Sequence, residues 1–354
     1  MTAADLDLVC VGSYAAEQGA EGAGVTLYER NRGSGALRRL SSVPMPSPSY
    51  LVADSDRRLL YAVNEVPGGT VTTMRVRDDG TPDVASVVST GGDGPCHGAL
   101  TADRKFVVCA NYADGTIGVV RLDHAGVAEE LVDVTERHGS GPVAGRQDRS
   151  HPHMVLPVAA GHVCVADLGT DEIVTYSISA AGLLDETHVT ALPPGSGPRH
   201  MALLDPQHDA GQDTHVAVTC ELAGSVAIVD LGRPTSPVRH RRTRAVAVVA
   251  QSRGAPSHLE YDSGTKSILF ANRGVDTLSE CTIGGAASET QPDGASVEVG
   301  AGPRHFARIE TDIYVAALGA DRIDLVRRAP RRRLDSLAPS IAARIRSPAC
   351  VVRL

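Results

Sequence analysis

Histidine and arginine recur in this sequence at one place in a repeated phrase, and they are the residues best suited to chemistry. The phrase reads SPSY from Ser47, GPCH from Gly94, SHPH from Ser150, GPRH from Gly197, APSH from Ala255, GPRH from Gly302 and SPAC from Ser347. Its last position gives Tyr50, His97, His153, His200, His258, His305 and Cys350, at intervals of 47, 56, 47, 58, 47 and 45 residues. Arg199 and Arg304 stand beside two of these histidines, and His151 lies two residues before His153. Imidazoles exchange protons near neutral pH, and guanidinium groups hold carboxylate or phosphate through paired hydrogen bonds. Gathered in one place, such groups suit proton transfer on a small anion.

A second set follows one strand-length later in each repeat: Asn64–Glu65, Asn111–Tyr112, Asp167–Leu168, Cys220–Glu221, Asn272–Arg273 and Ala317–Leu318. Glu221 and Arg273 therefore match in position on successive repeats. A structural account competes with the chemical one. Histidines at one repeat position could cap each unit by bonding to the next, and Arg and Glu could simply neutralise each other across units.

The elements that must hold these residues are short strands. A repeat near fifty residues, with several apolar runs broken by Gly and Asp turns, has the form of a propeller blade, and the 3.6-residue period of a helical solenoid is missing. Each unit reads as a first strand opened by the phrase, a second such as 58–65 or 105–112, a third such as 116–122 or 172–178, and a weaker fourth. The last unit holds only its first strand, whereas the chain begins with a second (6–14) and a third (24–29). The expectation is an all-β, seven-bladed propeller of four-stranded antiparallel blades over 1–354, with blade 7 shared by about 6–44 and 348–354. First strands line the central channel of a propeller, so the two columns become rings around one mouth.

Bulk properties narrow the function. The 354 residues include 42% hydrophobic and 21% charged, with 36 Gly and 21 Pro, which suits a turn-rich globular protein. A net charge of −8 repels phosphate backbones, so no nucleic-acid partner is expected. Basic runs at 239–244 and 327–333 read as charged strand edges. No apolar stretch is long enough to span a bilayer and no leader precedes the first strand, which gives a soluble, cytoplasmic protein with no membrane partner. The seven cysteines lack metal or disulfide spacing and read as reduced, buried residues. No G-x-S-x-G elbow or nucleotide cradle occurs. With no Trp and 3 Phe, a protein-docking face is poorly supplied, although a non-catalytic binding propeller remains a separate alternative.

The phrases VGSY, LLYAVNE, CANYADG, GSGPVAGRQDRSHPHMV, VADLGTDEIVTY, PGSGPRHMA, PSHL, FANRGVDTL and GPRHFA, in this order along nearly the whole chain, resemble the seven-bladed lactonase family. That family includes propeller-type 6-phosphogluconolactonases and carboxymuconate cyclases. The resemblance implies a metal-independent enzyme without cofactor, whose catalytic His, Arg, Glu and Arg fall on His153, Arg199, Glu221 and Arg273. Around them His97, Asn111, His151, Asp167, His200, His258 and Arg304 are read as substrate-binding. The chain departs from the family at AALGADR in blade 6 and in a Gly/Ala/Ser stretch at 282–302. The expected activity is hydrolysis of 6-phosphogluconolactone or a similar sugar lactone, with Glu221 or His153 as base and Arg199 or Arg273 on the oxyanion. The alternative is a cyclase or isomerase of a muconate-type dicarboxylate. The expected partner is a small anionic substrate (lactone, phosphosugar or dicarboxylate), and the expected state is a monomer or weak homodimer.

Overall fold

The computed structural model describes residues 6–204, 213–235, 240–243, 246–283, 295–328 and 333–354; of 240–243 and 246 only the backbone is described. Its strands form seven sheets around one channel. Their innermost strands are Pro48–Asp54, Pro95–Leu100, Pro152–Ala159, Pro198–Leu203, Ala255–Asp262, Pro303–Ile309 and Pro348–Arg353, for blades 1 to 7 in that order. The second strands are Leu59–Asn64, Phe106–Asn111, His162–Asp167, Thr214–Cys220, Ser267–Arg273, Asp312–Ala317 and Leu8–Ser13. Blade 7 joins the two ends of the chain: Pro348–Arg353 pairs antiparallel with Leu8–Ser13, Cys10 opposite Val352 and Gly12 opposite Cys350. Gly12 is required there, because a Cβ would sit 2.2 Å from the carbonyl oxygen of Pro48 in blade 1.

Second strands are almost wholly buried, as in LLYAVN, FVVCAN and DIYVAA. Each is covered on both faces by neighbouring blades, so it reads as a continuous apolar run instead of an alternation. The core is correspondingly divided into seven clusters, one in each seam between blades. Outer strands such as Pro82–Ser89 are exposed and alternate. All seven cysteines are buried and unpaired.

One blade departs from the expected four strands. Blade 3 gains a fifth, His240–Thr243, which pairs parallel with Leu184–Ala191. Residues 240–243 of the basic run thus lie along an outer sheet edge, while 239 and 244 fall outside the described residues. The Gly/Ala/Ser stretch falls largely outside the described residues, although its end supplies Ala295–Glu298 as the fourth strand of blade 5. Among the described residues no helix is long and apolar enough to cross a membrane.

Candidate functional site at the channel mouth

Every blade builds the mouth with the same local device. The proline of the repeated phrase pairs with the end of the second strand, as Pro95 with Asn111, and the next pairing skips a residue, as His97 with Ala110. Two residues therefore oppose one, which is a β-bulge, and bulges re-aim side chains near sites. In blades 1, 2, 4, 6 and 7 the residue before the proline has positive φ: Ser47 at 27°, Gly94 at 58°, Gly197 at 58°, Gly302 at 66° and Ser347 at 48°. Its carbonyl accepts the N–H of the residue just past the second strand, from Glu65, Tyr112, Glu221, Leu318 and Tyr14 respectively, at 2.8–3.1 Å. Three stacked tiers result: a deep ring at the phrase's last position, a bulge tier directly before it, and an upper tier past the second strands.

The bulge corrects one assignment. Pro152 pairs with Asp167 and Met154 with Ala166, so Met154, not His153, occupies the ring position of blade 3. The hydrogen bonds agree. The His97 and His305 Nδ1 atoms accept from the N–H of Val155 and Val351, one residue past the ring position of a later blade, and Met154 Sδ accepts from Met201 in the same way. Counting from the proline places His153 in the bulge tier with Cys96, Arg199 and Arg304; aligning on the histidines hid a one-residue slip, because SHPH puts its proline next to the histidine.

The deep ring is a packed plug. His258 stacks on His305, and Tyr50 lies tilted against His97, each at 3.9 Å between centroids, while His200 stands edge-on to His97, His153 and His258 at 5.2–5.5 Å. Burial, then mutual repulsion and nearby arginines, holds His97, His200 and His258 well below the ordinary imidazole range, and His305 at about 3. The ring is therefore neutral at physiological pH.

Above it, Glu221 gathers three guanidinium groups. Arg146 Nη2 donates to Oε1 at 2.6 Å, Arg273 Nη2 donates to Oε2, and Arg199 Nε lies 3.0 Å from Oε2 but out of line for a hydrogen bond. Burial pushes the Glu221 carboxyl up, yet Arg273, Arg199 and Arg146 together hold it at about 2. Arg199 is only 1% exposed, and its Nη1 has no partner. Burial, with Arg273 and Arg304 next, lowers it to about 9, so its cation persists at neutral pH while lacking full compensation. His153 is 5% exposed; burial, then Arg199 and Arg304, pushes its imidazole well below the ordinary value. Cys96 Sγ lies 3.8 Å from His153 Nδ1.

Arg146 escaped the sequence reading. It lies in the 137–151 connection, where the interval of 56 exceeds the 47 of its neighbours, and that surplus was the available signal. Gln147 fastens this loop by donating to Leu168 O and Asp171 Oδ1, both at 2.8 Å, and Asp171 also accepts from Gly195 and Gly197. Arg137 anchors its start on Asp167, Glu172 and Glu186. Tyr14, Glu65 and Tyr112 add further polar groups to the upper tier, beside Leu168 and Leu318.

Of the predicted residues, His153, Arg199, Glu221 and Arg273 converge, and Arg304 joins them from blade 6. His97, His200 and His258 lie beneath, in the plug. His151 is at the rim, stacked on Tyr112 at 4.5 Å, with its Nδ1 2.7 Å from Tyr112 O. Asn111 and Asp167 serve as braces: Asn111 Nδ2 donates to Thr90 O and Thr116 Oγ1, and Asp167 accepts from Ser150, His151 N, Gly169 N and Arg137. Both are 0% exposed, so they support the mouth instead of facing it. Two concavities of about 580 and 600 Å³ lie outside this site, lined by residues such as Glu136, Arg137 and His188, and Tyr28, Arg39 and Arg344.

Residues 8–352 match the family described as lactonase, 7-bladed beta-propeller. The chain belongs to that family. Among similar proteins, a Bacillus subtilis 6-phosphogluconolactonase is 26% identical over 289 residues, 79% of each chain. A solved Pseudomonas aeruginosa periplasmic gluconolactonase superposes with a TM-score of 0.82 at 23% identity, over 99% of both chains. A Bacteroides fragilis protein gives 0.83 at 22%, over 99% of this chain and 98% of that chain. At these identities the two structures speak for the fold.

Proposed function

We propose that this protein hydrolyses an anionic sugar lactone, with 6-phosphogluconolactone as substrate and no metal. One observation carries the reading: four arginines, Arg146, Arg199, Arg273 and Arg304, face two carboxylates, Glu65 and Glu221, so the mouth holds a surplus of cationic charge around the buried Arg199. Such a surplus is relieved by a bound anion. The name of the Bacillus subtilis relative supports the substrate class.

Glu221, bound by three guanidinium groups, is too weak a base to take a proton from water and instead orients the arginines. His153 takes that role. Burial first, and then Arg199, Arg304 and Arg273, depress it in the free enzyme, and an anion that neutralises the arginines relieves their share and raises its basicity as substrate arrives. Water attacks the lactone carbonyl carbon, one of its protons passing to His153, while Arg199 and Arg273 donate to the developing oxyanion. The ring C–O bond breaks as the oxyanion collapses, the imidazolium returns its proton to the leaving alkoxide, and the new acid ionises. Arg146, the most exposed of the four, takes the phosphate.

The test is acid release from freshly made 6-phosphogluconolactone, above the spontaneous rate and with chelator present, by the wild type and by Arg199→Ala and His153→Ala. Turnover that survives chelation and collapses in both variants supports the reading. Wild type at the background rate overturns it, and the same preparation is then assayed on muconate-type dicarboxylates.

A further inference from the structure

The mouth has a second pole. On the upper tier of blade 1, Glu65 accepts a hydrogen bond from Tyr14 of blade 7 at 2.8 Å, and Arg304 of blade 6 places Nη2 3.8 Å from the same Oε2. The Arg304 guanidinium also lies over the Tyr14 ring, 5.2 Å from its centroid. Gln18 donates to the Glu65 carbonyl at 2.7 Å and holds the backbone. Glu65 Oε1 and the Arg304 guanidinium make no hydrogen bond to another side chain or to the backbone among the described residues.

The two poles differ in charge. Three guanidinium groups share the Glu221 carboxylate, which leaves a cationic excess. At Glu65, one guanidinium faces one carboxylate and the local sum is zero. A net-zero pair with a free acceptor oxygen and free donors does not select an anion. It matches a neutral group that both donates and accepts, and adjacent hydroxyls on a carbon chain do both. Arg304 belongs to the same bulge tier as Cys96, His153 and Arg199, and Cys96 Sγ lies 3.8 Å from His153 Nδ1, so the two poles face one channel mouth.

We infer that Glu65, Arg304 and Tyr14 form a subsite for the vicinal hydroxyls of a polyhydroxylated substrate: Glu65 accepts from one hydroxyl, Arg304 donates to its neighbour, and Tyr14 fixes both partners. The inference rests on the lactonase reading for its location but assigns specificity where that reading assigns catalysis. A site built to bond hydroxyls rejects the analogue that lacks them, since its buried polar groups then stay unpaired.

Calorimetric titration of the full chain with gluconate and with hexanoate isolates the hydroxyls, because both probes carry one carboxylate on six carbons. The wild type is expected to prefer gluconate at least about tenfold, and Glu65→Gln to lose most of that preference. Tyr14→Phe, which keeps the ring beneath Arg304, is expected to lose part of it. Equal binding of both probes by the wild type, or an unchanged preference in Glu65→Gln, overturns the subsite. A kinetic arm compares kcat/KM for gluconolactone and δ-valerolactone, whose ratio falls about tenfold in Glu65→Gln; an equal loss on both substrates with a shifted pH profile would make Glu65 the base and overturn the assignment. The two ideas fail separately: gluconate preference without lactone turnover removes the hydrolase reading alone, and turnover without preference removes the subsite alone.

Discussion

Replacing Glu221 with glutamine removes one negative charge from among three guanidinium groups while leaving the side-chain volume nearly unchanged. In the folded protein this carboxyl sits at about 2, against an ordinary value of 4.5, because Arg273, Arg199 and Arg146 outweigh the opposing effect of burial. That difference corresponds to about 3 kcal/mol of stability at neutral pH. Removing one partner of a buried ion pair costs about 3–5 kcal/mol by a separate line of measurement, and Glu221 is buried, so the two agree. The sign follows from linkage. A folded value below the unfolded one stabilises above about pH 4.5, and the contribution fades as pH falls toward 2. Urea unfolding of wild type and Glu221→Gln should therefore differ by about 3 kcal/mol at neutral pH and by about 2 kcal/mol near pH 3.5. Phosphate should also raise the midpoint of the variant more than that of the wild type, by filling the vacated cation cluster. A loss under about 0.5 kcal/mol, or a gap that does not change with pH, would refute the electrostatic account of this site.

Other outcomes follow from the same geometry. Arg146→Ala should raise KM for a phosphorylated lactone about ten- to a hundredfold with little change in kcat, as loss of a charge-assisted contact to bound phosphate requires; initial rates at varied substrate check it. His153→Ala should abolish turnover, whereas Met154→Leu keeps the ring packing and should retain activity within about twofold; parallel assays decide between the two as the blade 3 functional position. Because the folded values of the ring histidines lie below their unfolded ones, stability is present at neutral pH and falls as pH drops below about 6.5, by up to about 2 kcal/mol for each histidine near pH 5; a flat unfolding midpoint between these pH values would contradict the buried, neutral ring. Gly12→Ala should cost about 1–3 kcal/mol in chemical denaturation, since its Cβ would press on the Pro48 carbonyl at 2.2 Å where blade 7 meets blade 1.

What the sequence alone determined here is whatever repeats. Seven proline-led phrases, apolar second strands buried on both faces, and a chain that starts in mid-blade specify seven blades and a shared closure, because each unit obeys the same local rules of strand, turn and burial. The same regularity brought Glu221 and Arg273 to the upper tier of the channel mouth and Arg199 to the tier beneath them. Tertiary structure decided what breaks the repeat or bridges distant blades. SHPH moved His153 out of the histidine ring by one residue, and only the bulge register around Pro152 shows that Met154 took its place. The extra residues before His151 carry Arg146 to Glu221, 75 positions along the chain. Tyr14, Glu65 and Arg304 meet because closure sets blade 7 between blades 6 and 1. Strand period and burial are local and leave a periodic trace, whereas a charge's partner is set by the distance across a channel, which spacing along the chain does not encode.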